Sequence, residues 1–345
     1  MKLAVICNHN YPDLQEFFTS KSKLKNSSLS NNLMFLTNYF AKRGGLVSKV
    51  PSAFSRKPFF DKFLLVDILY SPFLAIYLLF KGIKIVHFTT SHFSNIPLAM
   101  LFWLFGKKCI FTIHRFDLES YDPTRRRLLS LYEKLLFKIA YKIVILSDHK
   151  RVPVSKKVII PMAGYKQYVT TPKSSADYYM FFGRIDDYKG LEDIYQLACD
   201  LPSSKFVVAG NGTHEYISKL KELNNVDLKN RFIDDSELKD LFGGAKLVLL
   251  PYKSISQSAV QILSYSYATP VVCYDVGNLR EFIEDGKTGY LVPKGDYAEM
   301  KRVVENFNDE ELVYLSSNAI EYFNSKFSDK VLYEQYESFY KSMIV

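Results

Sequence analysis

The sequence predicts an α/β protein of two domains, each built on a parallel β-sheet. Short apolar runs alternate with amphipathic helical patterns along the chain, which is typical of successive β-α-β units. The same plan recurs in both halves, although no internal repeat is evident. The length of 345 residues suits about two domains, each with a substantial core.

The first domain is predicted over residues 1–168. Its predicted strands are Lys2–Cys7, Ile83–Phe88, Lys108–Ile113, Lys142–Leu146 and Val158–Ile160. Its predicted helices are Asn32–Lys42, Ile96–Phe105 and Pro123–Tyr141. The first strand runs directly into a polar loop, so we predict no signal peptide at the start of the sequence. The contacts of that loop, residues 8–31, stay unassigned.

The segment at 56–81 allows two interpretations. Its charge-free run from Ile68 to Phe80 is 13 residues long, whereas a membrane-spanning helix needs about 20. We therefore reject a transmembrane helix. An ordinary core helix and a helix partly inserted at a membrane interface both stay open.

The second domain is predicted over residues 169–326, and it begins with a polar linker at Thr170–Asp177. Its predicted strands are Tyr178–Phe182, Lys205–Ala209, Lys246–Leu250 and Pro270–Tyr274. Predicted helices begin at Leu191 and about Ala259, and a third covers Glu237–Phe242. Residues 327–345 are predicted to form a final amphipathic helix.

Charge is divided unevenly between the two halves. Residues 1–160 contain 25 Lys and Arg against 9 Asp and Glu, a net charge of +16, and residues 161–345 carry −7. The predicted helix Pro123–Tyr141 concentrates this charge in a basic stripe made of Arg125, Arg126, Arg127, Lys134 and Lys138, with Lys142 just beyond it. The positive charge of residues 1–160 favours an anionic membrane surface as the partner of the first domain. Because no recognition motif is present, nucleic acid is not predicted as a partner.

Cysteine usage predicts a cytoplasmic protein. The four cysteines lie far apart in apolar surroundings and show no metal-ligand spacing: Cys7, Cys109, Cys199 and Cys273. Buried, reduced thiols are the expected state of such residues. Together with the basic half, this predicts a peripheral location on the inner face of the plasma membrane.

The loop after strand Tyr178–Phe182 has the features of a phosphate site. Gly183 ends the strand, Gly190 precedes a helix, and two cations, Arg184 and Lys189, lie between them. A loop at the carboxyl end of a parallel strand, beside a helix N-terminus, is where phosphate groups bind. We expect the two cations to neutralise a diphosphate.

This Gly-Arg-x4-Lys-Gly segment resembles the donor-diphosphate signature of the GT-B enzymes called glycosyltransferase family 4. The resemblance spans nearly the full chain and is strongest between Phe182 and Val292. It implies two Rossmann-like domains facing a cleft, with a terminal helix that packs back on the first domain. It also implies retaining transfer of a sugar from a nucleotide-sugar to a lipid-linked saccharide, as in bacterial surface polysaccharide or lipopolysaccharide synthesis.

The resemblance also implies the site residues. Cations stabilise the departing diphosphate, so Arg184 and Lys189 are assigned to catalysis. The expected donor contacts are Gly183, Asn211, Gly212, Tyr252, Gln257, Ser258, Ala259, Val260 and Glu281. The sequence has no Asp-x-Asp motif, so neither a metal nor another cofactor is expected.

The chain departs from the family pattern at one place. The family's two glutamates, eight positions apart, correspond to about Ile255 and Leu263, and a Gln257-Ser258-Ala259 loop stands in their place. This leaves a catalytically inactive sugar-nucleotide-binding or scaffold paralogue as the alternative to an enzyme. Epimerases and phosphorylases of the same fold are a more distant alternative.

One histidine is singled out by its position. His114 follows a buried strand where the family has a histidine that faces the acceptor and the donor sugar. It is expected to orient or deprotonate an acceptor hydroxyl, assisted by Asp117. The remaining histidines are interpreted as structural: His9, His87, His92, His149 and His214.

Overall fold

The computed structural model describes residues 2–6, 33–36, 62–89, 95–114, 123–161, 168, 171–255 and 258–344. The chain divides into two compact units. Unit 1 comprises Met1–Gly164 and Leu332–Val345, and unit 2 comprises Tyr165–Val331. The limits predicted from the sequence lie at 168/169 and 326/327.

Unit 1 contains a six-stranded sheet in which every pair of neighbouring strands is parallel. The strands are β1 (Lys2–Ile6), β2 (Leu33–Leu36), β3 (Ile83–Phe88), β4 (Lys108–Ile113), β5 (Ala140–Ile145) and β6 (Lys157–Ile159). Their spatial order is β2-β1-β3-β4-β5-β6. Within the described part of residues 1–164, the helices are α1 (Lys62–Phe80), α2 (Ile96–Leu104) and α3 (Pro123–Ile139).

The prediction of a helix over Asn32–Lys42 is wrong for residues 33–36. Leu33–Leu36 is a strand that pairs in parallel with β1, with Leu3 opposite Leu33. Four consecutive apolar residues suit a buried parallel strand as well as a helix, and pairing with β1 decides between them. Residues 37–42 and the loop at 8–31 lie outside the described residues.

Unit 2 contains a second six-stranded parallel sheet. Its strands are β7 (Tyr178–Phe182), β8 (Lys205–Ala209), β9 (Val226–Lys229), β10 (Ala245–Leu250), β11 (Val271–Tyr274) and β12 (Gly289–Val292). Its helices are α4 (Leu191–Asp200), α5 (Tyr216–Lys221), α6 (Asp235–Gly244), α7 (Ala259–Ser266), α8 (Tyr297–Asn306) and α9 (Asp309–Lys326). The strand order is β12-β11-β10-β7-β8-β9, so the direction of winding reverses between β7 and β10.

The strands predicted from the sequence are present, with ends that differ by at most two residues. Three described strands were not predicted: β2, β9 and β12. Each has only four residues; β9 is interrupted by Asp227 and Lys229, and β12 carries three apolar residues after Gly289.

The terminal helix α10 (Asp329–Ile344) covers one face of the unit 1 sheet, and α1, α2 and α3 cover the other. The α10 side chains buried against the sheet are Leu332, Tyr336, Phe339, Tyr340 and Met343, and they pack on Leu3, Val5, Ile85, Ile110 and Val144. The helix thus buries the apolar stripe that its sequence predicts. None of the helices in the described ranges is long and apolar enough to cross a membrane.

His87 joins α10 to the sheet from inside the core. Its ring is fully buried on β3, with Nδ1 2.7 Å from the Tyr340 hydroxyl and Nε2 2.9 Å from the Thr112 hydroxyl. Burial, reinforced by the nearby His114, lowers the pKa of His87 from 6.5 to about 3. The neutral ring is therefore the native form, in agreement with the structural role expected of this histidine.

This burial predicts an acid-sensitive core. The unfolded chain binds the His87 proton below pH 6.5 and the folded chain only near pH 3, so stability is greatest above pH 6.5 and falls as the pH is lowered. The expected loss is about 1.4 kcal/mol per pH unit in this window. Urea unfolding of wild type and His87→Gln at several pH values measures it. Equal pH slopes for the two proteins would contradict the assignment.

Candidate active site

Two loops meet at the point of unit 2 where the strand order reverses. One follows β7 and carries Arg184 and Lys189, and the other follows β10 and carries Tyr252. The backbone N–H of Lys253 donates to the carbonyl of Tyr188 across the two loops at 2.8 Å. In open α/β sheets, ligands bind outside the carboxyl ends of the strands at such a reversal. The loop that the sequence indicates therefore lies where a ligand is expected.

Gly190 makes this meeting of the loops possible. Its backbone is left-handed, with φ of +70°, and it caps the short 3-10 turn Asp187–Lys189 before α4 begins. A Cβ at this position would lie 1.9 Å from the carbonyl oxygen of Pro251. Only glycine satisfies both conditions, so the loops are in backbone contact.

Lys189 is a buried cation at this contact. Its side chain is largely enclosed, with the residue only 7% exposed. The Nζ atom lies 3.6 Å from the centroid of the Tyr252 ring and 5.2 Å from that of Tyr188. Aromatic faces attract an ammonium group by electrostatics, and more strongly where water is excluded. The lysine is thereby fixed at the carboxyl end of β7.

Arg184 lies on the same loop but is exposed. Its guanidinium pairs with Asp186 at 3.0 Å and donates to the Tyr188 hydroxyl at 3.4 Å, with 63% of the side chain exposed. The hydrogen bond to Tyr188, with the charge of Asp186, raises the pKa of Arg184. An exposed ion pair of this kind contributes little to stability, so an incoming anion can replace Asp186. Tyr188, which touches both cations, is a residue that sequence reasoning missed.

The start of α7 adds hydrogen-bond donors beside this loop. Ser258 is the residue before the helix; it is buried and its side chain does not cap the helix. The amide groups of the first helical turn, from Ala259 and Val260 onward, lack partners within the helix. A Cβ on Gly183 would lie 3.3 Å from the Val260 side chain, so this helix start adjoins the end of β7. Such a helix N-terminus attracts anions.

Two hydroxyls are buried at the same place. The Ser258 Oγ and the Tyr252 hydroxyl are enclosed, and neither makes a hydrogen bond of normal geometry within the described part of the chain. Burial raises the pKa of Tyr252 above its usual range, and the neighbouring Ser258 hydroxyl partly offsets this. Buried hydroxyls usually have partners, so this pair is suited to a polar ligand. Gln257 lies outside the described residues.

The turn Gly210–Gly212 serves the architecture of the site. Gly210 has a φ of +151°, and a Cβ there would lie 1.8 Å from the carbonyl oxygen of Gly183. The Ile185 N–H donates to the Asn211 carbonyl at 3.0 Å, and Gly212 bridges to Ile185. The backbone of this turn therefore packs closely against the Arg184 loop and supports it. Contacts of Asn211 and Gly212 with a donor stay a prediction.

The remaining predicted donor residue is farther along the chain. Glu281 is exposed in the 3-10 turn Leu279–Phe282, where its carbonyl accepts a hydrogen bond from Tyr322 at 3.3 Å. At the positions of the two family glutamates, Ile255 and Leu263 are half-buried apolar side chains. The described residues contain no group of three or more His, Cys, Asp or Glu that could hold a metal ion.

In unit 1, His114 follows β4, adjacent to the reversal of strand order between β1 and β3. Its Nε2 lies 2.8 Å from the carbonyl oxygen of Thr89. The N–H and hydroxyl of Thr89 both donate to the Ile6 carbonyl at 3.1 Å. His114 is therefore tied to the ends of β1 and β3. Thr89 is a second residue that sequence reasoning missed.

The protonation state of His114 follows from these contacts. A carbonyl only accepts, so Nε2 carries the hydrogen, and the neutral ring has its lone pair on Nδ1. Burial lowers the pKa of His114, and the bond to Thr89 opposes this. A neutral imidazole with its tautomer set by the backbone can act as a general base. Asp117 lies outside the described residues.

The other histidines are placed as follows. His149 accepts a hydrogen bond from the Arg151 N–H at 3.3 Å. His214 accepts one from the Tyr216 N–H at 3.3 Å, and its Nε2 lies 3.8 Å from Asp187. His9 and His92 lie outside the described residues.

A pair of glycine variants tests the contact between the two loops. Gly190 and Gly286 share a left-handed backbone, but a Cβ on Gly286 meets nothing within 4 Å. Gly286→Ala should cost about 1 kcal/mol of unfolding free energy from backbone strain alone. Gly190→Ala should cost at least about 2 kcal/mol more, because it also pushes the loops apart. Urea unfolding measures both, and equal costs would contradict the contact.

The sequence of unit 2 matches a known family. Residues 176–308 match the model of the glycosyl transferases group 1. A protein of the cps region of Klebsiella pneumoniae is 26% identical over 168 residues, which are 47% of this chain and 46% of that protein. The capsular polysaccharide biosynthesis glycosyltransferase CapM of Staphylococcus aureus is 23% identical over 278 residues, covering 68% and 70% of the two chains. The match thus spans about half the length of the first of these relatives.

Solved structures extend the likeness to the whole chain. Sucrose-phosphate synthase from Thermosynechococcus elongatus superposes with a TM-score of 0.71 at 16% identity, covering 100% of this chain and 99% of that one. HepE from Anabaena, solved in complex with UDP, superposes with a TM-score of 0.70 at 14% identity, and the match covers 99% of this chain and 100% of HepE. Both are similar in fold. The chain therefore has the GT-B fold, with two Rossmann-like units, and its second unit resembles the glycosyl transferases of group 1.

Proposed function

We propose that this protein is a retaining glycosyltransferase that moves a sugar from a nucleotide-sugar to a saccharide acceptor. One observation carries the proposal. Lys189 is a buried cation held against Tyr252 where the strand order of unit 2 reverses, beside the N-terminus of α7. This is the place and the charge that a bound diphosphate requires.

The proposed reaction exchanges one bond at the anomeric carbon for another. The bond to the diphosphate oxygen breaks, the bond to the acceptor oxygen forms on the same face, and the acceptor hydroxyl loses its proton. Negative charge develops on the departing diphosphate. Lys189, Arg184 and the first amides of α7 would stabilise it, and such preorganised groups are often the largest contribution to catalysis. With these cations in place, we propose a metal-independent reaction without a cofactor.

The donor is proposed to be a sugar linked to a nucleoside diphosphate. HepE, which shares the fold, has been solved in complex with UDP and with UDP-glucose. The signature of cations that we assign to the diphosphate stands at Arg184 and Lys189 of this chain. A nucleoside diphosphate is thus the class of leaving group that this arrangement suits.

The acceptor is proposed to be a lipid-linked saccharide of bacterial surface polysaccharide synthesis. The name of CapM, which matches 68% of this chain, supports the polysaccharide. The excess of positive charge in residues 1–160 supports a peripheral location on the inner face of the plasma membrane. His114, neutral and tied to Thr89, is proposed to orient or deprotonate the acceptor hydroxyl.

An inactive sugar-nucleotide-binding or scaffold paralogue is the second candidate. The apolar side chains of Ile255 and Leu263, at the positions of the family's glutamates, favour it. Both candidates bind the donor, so binding does not separate them. Turnover does.

We predict that removing the buried cation abolishes most turnover. The donor is first identified by a thermal-shift screen of nucleotide sugars, since a ligand at 100 times its dissociation constant adds about 2.7 kcal/mol of stability. Lys189→Met and Arg184→Met should then each lower kcat by roughly 10²- to 10³-fold. The assay measures release of the nucleoside diphosphate with and without a saccharide acceptor.

Lys219→Met is the matched control. The Lys219 Nζ also lies over an aromatic ring, 4.2 Å from the centroid of Tyr216, but on the surface of α5. Its loss should leave kcat unchanged. If Lys189→Met and Arg184→Met keep full turnover, the proposed role of the cations is wrong. If wild type binds the donor and never turns it over, the paralogue is the better account.

A further inference from the structure

Unit 1 exposes an unusual number of large apolar side chains on two neighbouring helices. Nine of them lie on α1, on α2 or directly after α2: Leu69, Phe73, Ile76, Tyr77, Phe80, Met100, Trp103, Leu104 and Phe105. Phe73 is 71% exposed and Phe80 88% exposed. Single exposed apolar residues are ordinary, but a contiguous set marks a surface that something covers. We call these nine residues the apolar face.

The nine residues belong to one surface. On α1 they recur at the three- and four-residue spacing of one helix side, and Leu74, Ala75 and Leu78 on the other side are buried in the core of the sheet. On α2 the same holds for Met100, Trp103 and Leu104, opposite the buried Leu98, Ala99 and Phe102. Since α1 and α2 also pack against each other, both exposed rows point away from the sheet.

Positive charge borders the apolar face. Lys81 follows α1, with its Nζ 5.7 Å from the Tyr77 ring centroid, and Lys107 and Lys108 follow α2. The neighbouring helix α3 exposes Arg127, Leu131, Lys134 and Lys138 in one row. The one acidic residue of α3, Glu133, faces Arg151 at 3.8 Å. Neither α2 nor the stretch 68–80 of α1 contains an acidic residue.

We propose that the apolar face docks on an anionic phospholipid bilayer, with the rings of α1 and α2 at the level of the headgroups and upper acyl chains. The row on α3 and the lysines at the helix ends would contact the headgroup phosphates. This deepens the peripheral-membrane part of the proposed function. Charge alone attracts the protein to the membrane, and the proposal adds that the apolar face inserts partly into the bilayer.

Charge decides between a membrane and a second copy of this chain. In a symmetric dimer through the apolar face, the basic borders of both copies would approach each other, and like charges oppose association. An anionic bilayer neutralises the same borders. The composition of the apolar face and its border also suits a membrane, because Trp, Tyr and Lys side chains place an apolar body in the interface and a polar end in water.

The test uses the single tryptophan of the chain, Trp103, which lies in the apolar face. Wild-type protein is mixed with vesicles of phosphatidylcholine containing phosphatidylglycerol, or of phosphatidylcholine alone. We expect flotation with the anionic vesicles, a blue shift of the Trp103 emission, and quenching by lipids brominated in the acyl chain. Bound protein whose Trp103 emission is unchanged and unquenched would overturn the proposal.

Two variants separate the apolar and electrostatic contributions. Ile76→Ser/Phe73→Ser/Phe80→Ser should lower the vesicle partition coefficient at least tenfold, because each loses apolar area from the interface. Lys107→Gln/Lys134→Gln/Lys138→Gln should lower it about a hundredfold at low salt, at about fivefold per cation. Unchanged partitioning of the first variant contradicts insertion.

The matched control replaces three apolar residues of similar exposure that lie outside the apolar face: Val154→Ser/Phe232→Ser/Tyr314→Ser. It should partition like wild type. Sedimentation without vesicles tests the alternative occupant, and a dimer that dissociates in the Ile76→Ser/Phe73→Ser/Phe80→Ser variant overturns the membrane proposal. Thermal shift by the nucleotide donor should be the same in all variants, so failure to bind vesicles and failure of the proposed enzyme function are read separately.

Discussion

The contact between Lys189 and the Tyr252 ring is the interaction on which the candidate site depends. It places a positive charge in a largely dry position at the carboxyl end of β7. It also requires the loops after β7 and β10 to touch, which Gly190 allows by leaving room for the Pro251 carbonyl. A charge held in this way needs no reorganisation when an anion arrives, and that is the property by which active sites stabilise developing charge.

The two units use one architectural principle for different chemistry. In each, the polar residues of interest lie at or beside the reversal of strand order, because only there do neighbouring loops diverge and leave space. Unit 2 places a cation and a helix N-terminus at this point. Unit 1 places His114, whose tautomer is fixed through Thr89 to the end of β1. We propose the first as an anion site and the second as a base.

Much of this could be predicted from local patterns, and the rest depends on tertiary contacts. The strand Tyr178–Phe182 and the cations after it are visible because a buried run, two glycines and two charges lie close together in sequence. The strand Leu33–Leu36 was mistaken for a helix because only its pairing with β1 reveals it. Tyr188 was missed because its role arises from tertiary contacts: Lys189 lies over its ring and Arg184 donates to its hydroxyl. The support that Gly210 and Gly212 give to the Arg184 loop was also missed, because it depends on two backbone segments that are distant in sequence.

Calorimetric titration of nucleotides that differ by one phosphate tests the central claim most directly. If Lys189 and the start of α7 form a diphosphate site, the nucleoside diphosphate of the true donor should bind at least about tenfold more tightly than its monophosphate, or roughly 1.4 kcal/mol. In Lys189→Met that difference should largely vanish while the monophosphate affinity is kept. Equal affinities for the two nucleotides in the wild-type protein would contradict the account.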